Sequence, residues 1–248
     1  HGSGREIRKR LAAVQGRFRT LNVDMIFNFR IQTESMLERD LRTLQELRVD
    51  QITFYPLMSP RAGRGSYLRE KRLYRRIREE LASDYAPSTA WCFSRREARS
   101  DGRRRLIDEY IVAREDYAGL GSGSFGYVQG RLYANSFSLQ RYVERLRCKQ
   151  LPVEMTRRFS PAERLRYDFL MKLFGGRLDL DPLERRHGRG VRRRLAKELL
   201  FFRSIGALRR RGRILALTGK GHYVWVILMR EFFSAVNRLR ETCLSIGE

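Results

Sequence analysis

The residues best suited to holding a ligand lie in a glycine-rich stretch from Tyr117 to Tyr127, Tyr-Ala-Gly-Leu-Gly-Ser-Gly-Ser-Phe-Gly-Tyr. Glycine lets the backbone approach a ligand closely and adopt positive φ without a Cβ clash. The stretch follows an apolar run over 106–112, which we interpret as a strand. These features favour an ordered, buried loop, with Leu120 buried, over the alternative of a flexible surface loop.

A second candidate is Asp24, inside the apolar run 21–29, Leu-Asn-Val-Asp-Met-Ile-Phe-Asn-Phe. Such a run is typical of a strand buried on both faces of a parallel sheet. An acid inside it is costly unless it is hydrogen-bonded. Two interpretations remain open: Asp24 bonds a neighbouring loop, or it contacts a ligand at the mouth of the strand.

The three cysteines, Cys92, Cys148 and Cys243, are too far apart in sequence to form a local metal knuckle. Their small, odd number suits a reducing cytoplasm, and we interpret them as small buried apolar residues. His187 and His222 stand in basic, polar settings, and neither is predicted to be a ligand. No metal site is predicted from these residues.

The elements that position these residues read as alternating strands and helices. We predict helices over 5–16, over 34–47 behind a Thr33 cap, and from Ser66, with extended runs at 51–57, 88–93 and 106–112. Alternation of this kind predicts crossover βαβ units and an α/β fold with a mainly parallel sheet. The residues expected to be buried, besides Leu120, are Ile26, Leu41, Phe54 and Ile77.

The second part of the chain begins near Ser138 and is mainly helical. Ser160-Pro161-Ala162-Glu163 is a strong helix start, with a capping serine, proline at the first position and glutamate at the third. Further helix starts are predicted at Ser138, Asp181 and Thr218, and a hairpin over 206–217 around Arg211-Gly212. Helices followed by a hairpin suggest a winged-helix-like domain.

Composition limits the classes of function. The 248 residues carry 52 Lys and Arg against 28 Asp and Glu, a formal net charge of +24, and no apolar run approaches the ~18 residues of a membrane span. Such charge suggests nucleic acid or an anionic surface, but its spread along the chain predicts only weak, sequence-independent binding. The polar start predicts no signal peptide, and the lack of an initiator Met suggests a fragment, a remnant of a tag or a start within a gene.

The order of several short motifs resembles the oxygen-independent coproporphyrinogen III oxidase family of radical S-adenosylmethionine (SAM) proteins. The motifs are Asn22-Val23-Asp24-Met25-Ile26-Phe27, Gln32-Thr33, Thr53-Phe54-Tyr55-Pro56-Leu57, Gly119-Leu120-Gly121-Ser122-Gly123-Ser124, Gly130-Arg131-Leu132-Tyr133-Ala134-Asn135 and Leu217-Thr218 before Gly221. One departure is Asn28-Phe29-Arg30-Ile31, where the family commonly has Gly-Leu-Pro-Gly.

The resemblance implies a fold and a set of site residues. It implies the second half of a parallel, TIM-like β/α barrel over 1–137 and a winged-helix-like C-terminal domain over 138–248. By position, the SAM-contacting residues are Asp24, Leu57, Gly121, Ser122, Gly123 and Phe125, and the substrate pocket holds Gln32, Tyr133 and Asn135. Core packing also explains Leu57 and Phe125, and a turn-stabilising role also explains Asn135.

The resemblance further implies a cytoplasmic enzyme that acts on tetrapyrroles. In the family, a [4Fe–4S] cluster on Cys-x3-Cys-x2-Cys cleaves SAM, and two substrate propionates become vinyl groups. That cysteine motif is not in this sequence, so we expect a truncated, inactive form that binds neither cofactor stably alone. The alternatives are a haem chaperone or haem-degrading relative, and a basic winged-helix-like nucleic-acid-binding protein.

Overall fold

The computed structural model describes residues 3–58, 64–97, 112 and 114–245, and the chain divides into two compact units, His1–Glu109 and Tyr110–Glu248. Most of the predicted strand over 106–112 lies outside the described residues. The domain boundary at 137/138 stays a prediction. The two units are described separately below.

The first unit is an α/β layer built on a four-stranded sheet. Its elements are α1 (Gly4–Val14), β1 (Asn22–Phe27), α2 (Glu34–Glu46), β2 (Gln51–Pro56), α3 (Arg64–Leu81), β3 (Tyr85–Pro87) and β4 (Cys92–Arg95). The strand order is β1-β2-β4-β3, and β1 runs parallel to β2 with Asp24 opposite Thr53. Thr33 caps α2 as predicted, because its Oγ1 accepts a hydrogen bond from the Met36 amide at 3.2 Å.

The expectation of a mainly parallel sheet is wrong for the described residues. Strand β4 pairs antiparallel with both β2 and β3, so only β1 and β2 are parallel. The chain over 88–93 turns back on itself because Thr89 Oγ1 accepts hydrogen bonds from the amides of Trp91 (3.2 Å) and Cys92 (3.0 Å). The α/β class is therefore confirmed, and the described strands form an open sheet instead of a closed barrel.

One face of this sheet carries the core. Leu41, Phe54 and Ile77 are fully buried as predicted, and the Phe27 and Tyr74 rings stack 6.4 Å apart between β1 and α3. Ile26, predicted to be buried, is 46% exposed. Strand β1 is the edge strand, and alternation turns Ile26 to the face opposite Phe27, so only one side of this strand is packed.

The second unit begins with an antiparallel sheet and a short helix. Its first elements are β5 (Phe125–Val128), β6 (Arg131–Asn135), α4 (Leu139–Arg147) and β7 (Val153–Arg158), with strand order β5-β6-β7. Ser138 caps α4 as predicted, accepting a hydrogen bond from the Arg141 amide at 3.4 Å. The glycine-rich stretch leads directly into β5.

The rest of the second unit has winged-helix topology. Its elements are α5 (Pro161–Phe174), β8 (Arg177–Asp179), α6 (Leu180–His187), α7 (Val191–Arg194), α8 (Ala196–Ser204), β9 (Leu208–Arg211), β10 (Ile214–Leu217) and α9 (Gly219–Ser245). Strand β10 lies between β8 and β9, and both pairings are antiparallel, which confirms the predicted hairpin. The core contains Phe169, Phe202 and Trp225, with the last two rings 4.7 Å apart.

The helix starts of this part follow local sequence signals. Ser160 and Glu163 form the predicted reciprocal capping box, with Pro161 at the first helical position of α5. Helix α6 starts at Leu180 behind an Asp179 cap, which lies two residues before the predicted cap Asp181. Within the described residues, no helix is long and apolar enough to span a membrane.

Candidate functional site

The sheet of the first unit has a polar face opposite its helix-covered face. Alternation places Asn22 and Asp24 of β1 beside Gln51 and Thr53 of β2, and the pairing of β4 adds Cys92 and Ser94 to the same face. The β2 and β4 residues of this face are buried, whereas Asp24 on the edge strand is exposed. The polar face is therefore accessible at β1.

Asp24 is oriented by a short chain of side-chain hydrogen bonds. Thr53 Oγ1 donates to Asn22 Oδ1 at 3.1 Å, and Asn22 Nδ2 donates to Asp24 Oδ1 at 2.7 Å. The first bond fixes the Asn22 amide, and the amide then fixes one carboxylate oxygen. An exposed carboxylate held in this way is suited to accepting hydrogen bonds from hydroxyl groups of a ligand.

Leu57 lies on the same face as Asp24, at the carboxyl end of β2. Its backbone amide donates to the Phe27 carbonyl at 2.9 Å, which extends the β1–β2 ladder by one position. Continued alternation from Tyr55 turns the Leu57 side chain to the polar face, where it is half-buried. The structure therefore places Asp24 and Leu57 on the same face of the sheet, and their assignment to SAM binding stays a prediction.

The loop after β1 is held by buried polar side chains. Asn28 has φ 72°, and its amide donates to Gln32 Oε1 at 2.8 Å. Arg69 of α3 donates to Asn28 Oδ1 at 2.8 Å and also to the Gln32 carbonyl. Gln32, assigned to the substrate pocket by resemblance, thus uses its side-chain oxygen to fix this loop.

The glycine-rich loop of the second unit is tied down along its backbone. The amides of Gly119, Gly121 and Gly123 donate to Tyr133 OH (2.9 Å), Tyr142 OH (3.1 Å) and the Ser136 carbonyl (2.8 Å). The Asn135 side-chain amide donates to the carbonyls of Gly119 and Gly121, both at 3.1 Å, and to Ser124 Oγ at 3.0 Å. The predicted order of the loop is confirmed.

Two of its glycines are required by close packing. A Cβ on Gly119 would stand 2.2 Å from the Phe125 carbonyl oxygen, and one on Gly126 would stand 2.1 Å from the Tyr133 ring. The predicted burial of Leu120 is wrong, since this side chain is 89% exposed. The carbonyls on either side of it turn inward to Asn135, which leaves the Leu120 side chain in solvent.

The remaining predicted residues of this unit divide between packing and support. Phe125 is half-buried, with its ring edge-on to Phe137 at 6.0 Å, and Ser122 Oγ donates to the Ser136 carbonyl at 2.8 Å. Tyr133 and Asn135 stabilise the glycine-rich loop through the hydrogen bonds given above. Asp24, Leu57 and Gln32 belong to the first unit, whereas Gly121, Ser122, Gly123, Phe125, Tyr133 and Asn135 belong to the second.

The residues of this sequence do not fit a [4Fe–4S] cluster, which requires several converging thiolates. Cys92 is buried in the first unit, with Thr53 Oγ1 3.6 Å from its sulfur, and Cys148 is exposed at the end of α4 in the second unit. Among the described residues, no group of His, Cys, Asp and Glu has a metal-binding arrangement. Exposed Cys148 also differs from the predicted buried apolar role.

The sequence interpretation missed a buried charged cluster in the second unit. Asp168 Oδ2 lies 2.7 Å from His187 Nε2 and 3.1 Å from Arg186 Nε, and Arg186 also reaches Glu115 at 2.9 Å. Four residues on, Lys172 donates to the Val112 carbonyl at 2.6 Å, and burial lowers the pKa of Lys172. The sequence signal for this cluster was Asp168, an acid that lies between apolar residues of α5.

This cluster anchors the segment that enters the glycine-rich loop. Besides Val112 and Glu115, the segment is attached through Tyr117, whose hydroxyl lies 2.9 Å from that of Tyr167. Burial raises the pKa of both Tyr117 and Tyr167, so the pair stays neutral at physiological pH. The contacts explain the cluster as support for the loop.

Comparison with known proteins identifies the fold. No family model and no curated protein matches the chain. Among solved structures, it is similar to coproporphyrinogen III oxidase (HemN) from Escherichia coli, a radical SAM enzyme, with a TM-score of 0.69 and 16% identity. The chain shares the fold of HemN. The similarity covers 93% of this chain and 59% of the HemN chain, so these residues correspond to part of that enzyme.

Proposed function

We propose that these residues form the SAM-contacting sheet and the C-terminal part of a radical SAM enzyme that acts on tetrapyrroles. The supporting observation is the match to the HemN fold over 93% of the chain, with the sequence motifs in the order of the coproporphyrinogen III oxidase family. The proposed reaction class is the oxidative decarboxylation of propionates. A haem chaperone or haem-degrading protein of the same family is the second candidate.

In this proposal, Asp24 accepts hydrogen bonds from the ribose hydroxyls of SAM, and Leu57 packs beside it. The orienting bonds from Thr53 and Asn22 support this role for Asp24. By resemblance, Gly121, Ser122, Gly123 and Phe125 of the second unit are also assigned to SAM binding, and Gln32, Tyr133 and Asn135 are assigned to the substrate pocket. The iron–sulfur cluster has to be held by cysteines outside these 248 residues.

The deciding experiment compares this chain with the product of its complete coding region. Both are reconstituted anaerobically with iron and sulfide and assayed for 5′-deoxyadenosine with coproporphyrinogen III present. We expect product from the complete protein and none from the 248 residues. A stable cluster spectrum with SAM cleavage by this chain alone would refute the assignment of the cluster, and an inactive complete protein would refute the function.

Asp24 provides the residue-level test of SAM binding. Charge-assisted hydrogen bonds contribute about 1.5–3 kcal/mol, or roughly tenfold to hundredfold in Kd. Because Asp24 is exposed, we expect Asp24→Ala to fall near the lower end, about tenfold, when calorimetry measures SAM binding to the complete protein. Ser35→Ala, on the exposed surface of α2, is the matched control. Unchanged affinity in Asp24→Ala would remove this residue from the site.

A further inference from the structure

The positive charge of the chain is concentrated in one segment of the second unit. The 36 residues from Arg185 to Lys220 contain 13 Lys and Arg and one acid, Glu198, so this seventh of the sequence carries half of the net charge. Glu198 is already paired with Arg166 at 2.6 Å. The segment therefore produces a strong field of one sign, in contrast to the dispersed charge elsewhere.

Part of this charge, together with Arg177 from before the segment, lies on the outer face of the β8-β10-β9 sheet. Arg177 and Arg209 stand on either side of Ala216, and Arg211 stands opposite Ile214. The opposite face packs Leu208, Leu215 and Leu217 into the core. Strand geometry separates Arg209 from Arg211 by about 7 Å and from Arg177 by about 10 Å. We call Arg177, Arg209 and Arg211 the arginine wing.

The arginine wing lacks the acidic partners that neutralise nearby arginines. Arg213, at the base of the same hairpin, pairs with Asp181 and Glu184, and Arg186 pairs with Asp168 and Glu115. The three wing arginines are exposed and form no ion pair with any described residue. Closely spaced cations of this kind bind a polyanion most favourably, because they displace the counterions condensed on it.

The topology of the surrounding module favours nucleic acid as that polyanion. Arg209 and Arg211 belong to the hairpin that follows α8, the helix that occupies the base-reading position of a winged helix, and Arg177 lies on the neighbouring strand β8. Helix α8 exposes Leu200 (72%) and Phe201 (57%), contains neither Asn nor Gln, and carries two exposed cations, Lys197 and Arg203. Such cations bind phosphate as well as guanine, and with no amide side chain to read adenine the helix favours backbone contacts over sequence recognition.

We propose that the second unit binds the phosphate backbone of duplex nucleic acid through the arginine wing, without base-sequence preference. The proposal is independent of the tetrapyrrole chemistry. It assigns the binding of polyanions to a defined surface, the arginine wing. Duplex DNA and duplex RNA share the relevant chemistry and are distinguished by the test.

The test measures fluorescence anisotropy of labelled 20-base-pair DNA and RNA duplexes with the full chain. If about four phosphates are neutralised, affinity should fall roughly 150-fold between 50 and 200 mM salt. Arg209→Glu/Arg211→Glu should weaken binding by about tenfold or more at 50 mM salt. The control, Arg147→Glu/Lys149→Glu, makes the same change in net charge at the exposed end of α4 and should change Kd by less than about threefold.

Several outcomes would overturn the proposal. They are no duplex binding at 50 mM salt, equal losses in the two double variants, or a preference of ~10³ for one sequence. Binding to phosphatidylglycerol vesicles without binding to duplexes would assign the surface to a membrane instead. Circular dichroism of each variant establishes that it is folded.

Discussion

Asn28 begins the loop after β1 in a backbone conformation that is unusual for a residue other than glycine. It adopts the left-handed conformation, φ 72°, that glycine tolerates best. Asparagine is among the few other residues that visit this region, and Arg69 donates a hydrogen bond to its side chain. The loop therefore starts with a glycine-like turn.

Asn28 gives the first stability prediction. Asn28→Ala and Asn28→Gly both remove the bond to Arg69, but only alanine is strained at positive φ. We expect the alanine variant to be less stable than the glycine variant by about 1–2 kcal/mol in urea denaturation. If the two variants were equally stable, the left-handed backbone would not be the reason for asparagine at this position.

Among helices and strands, the features that depend on neighbouring residues could be predicted from the sequence, and those that depend on distant residues could not. The caps at Thr33, Ser138 and Ser160 were predicted because a cap depends on residues within one turn. The antiparallel direction of β4 was not predicted, because it depends on a turn between strands that Thr89 stabilises. The burial of Ile26 was predicted wrongly for a similar reason. Both faces of β1 carry apolar residues, so the sequence does not show which side chains of the strand face the core.

The site could be predicted in part for the same reason. The residue types of Asp24 and the glycine-rich loop identified the two places, but their supporting partners came from distant segments. Asn135 reaches three groups of the loop across 11–16 positions, and Thr53 reaches Asn22 across 31. A single sequence contains no local signal for such partners.

The α5 capping box predicts a pH dependence of stability. Hydrogen bonds from the Ser160 amide, then from its hydroxyl and from Arg157, lower the pKa of Glu163 below the ordinary value for glutamate. A lowered folded-state pKa adds stability above the unfolded pKa, and this stability is lost as pH falls through the folded pKa. Glu163→Gln should thus be less stable than the parent at pH 7, and the difference should shrink as pH falls below about 4.5 and disappear below the folded-state pKa of Glu163.

Chemical denaturation across this pH range measures the effect. Ser160→Ala is the comparison, because loss of the cap costs about 1 kcal/mol, part of which persists in acid where Glu163 is neutral. A Glu163→Gln difference that stayed constant from pH 7 to pH 3 would show that its charge does not contribute.

At the scale of the whole molecule, the edge strand β1 predicts self-association. Among the described strands it pairs only with β2, which leaves the other side of β1 open, and Ile26 (46%) and Phe29 (39%) are exposed at this edge. We expect sedimentation velocity to show concentration-dependent association of the chain and Ile26→Lys to reduce it. Ile7→Lys changes an equally exposed isoleucine on helix α1 and should have little effect. Equal effects of the two variants would indicate general hydrophobic attraction instead.

The hydrogen bonds of the glycine-rich loop affect how it exchanges protons with solvent. Four glycines in eleven residues would ordinarily suggest a hinge, with amides that exchange rapidly and a backbone open to proteases. Here Tyr133, Tyr142 and Ser136 accept from the amides of Gly119, Gly121 and Gly123. Deuterium should therefore exchange into these three amides as slowly as into the amides of β6. Limited proteolysis should leave the loop uncut, although the Leu120 side chain is exposed to the protease.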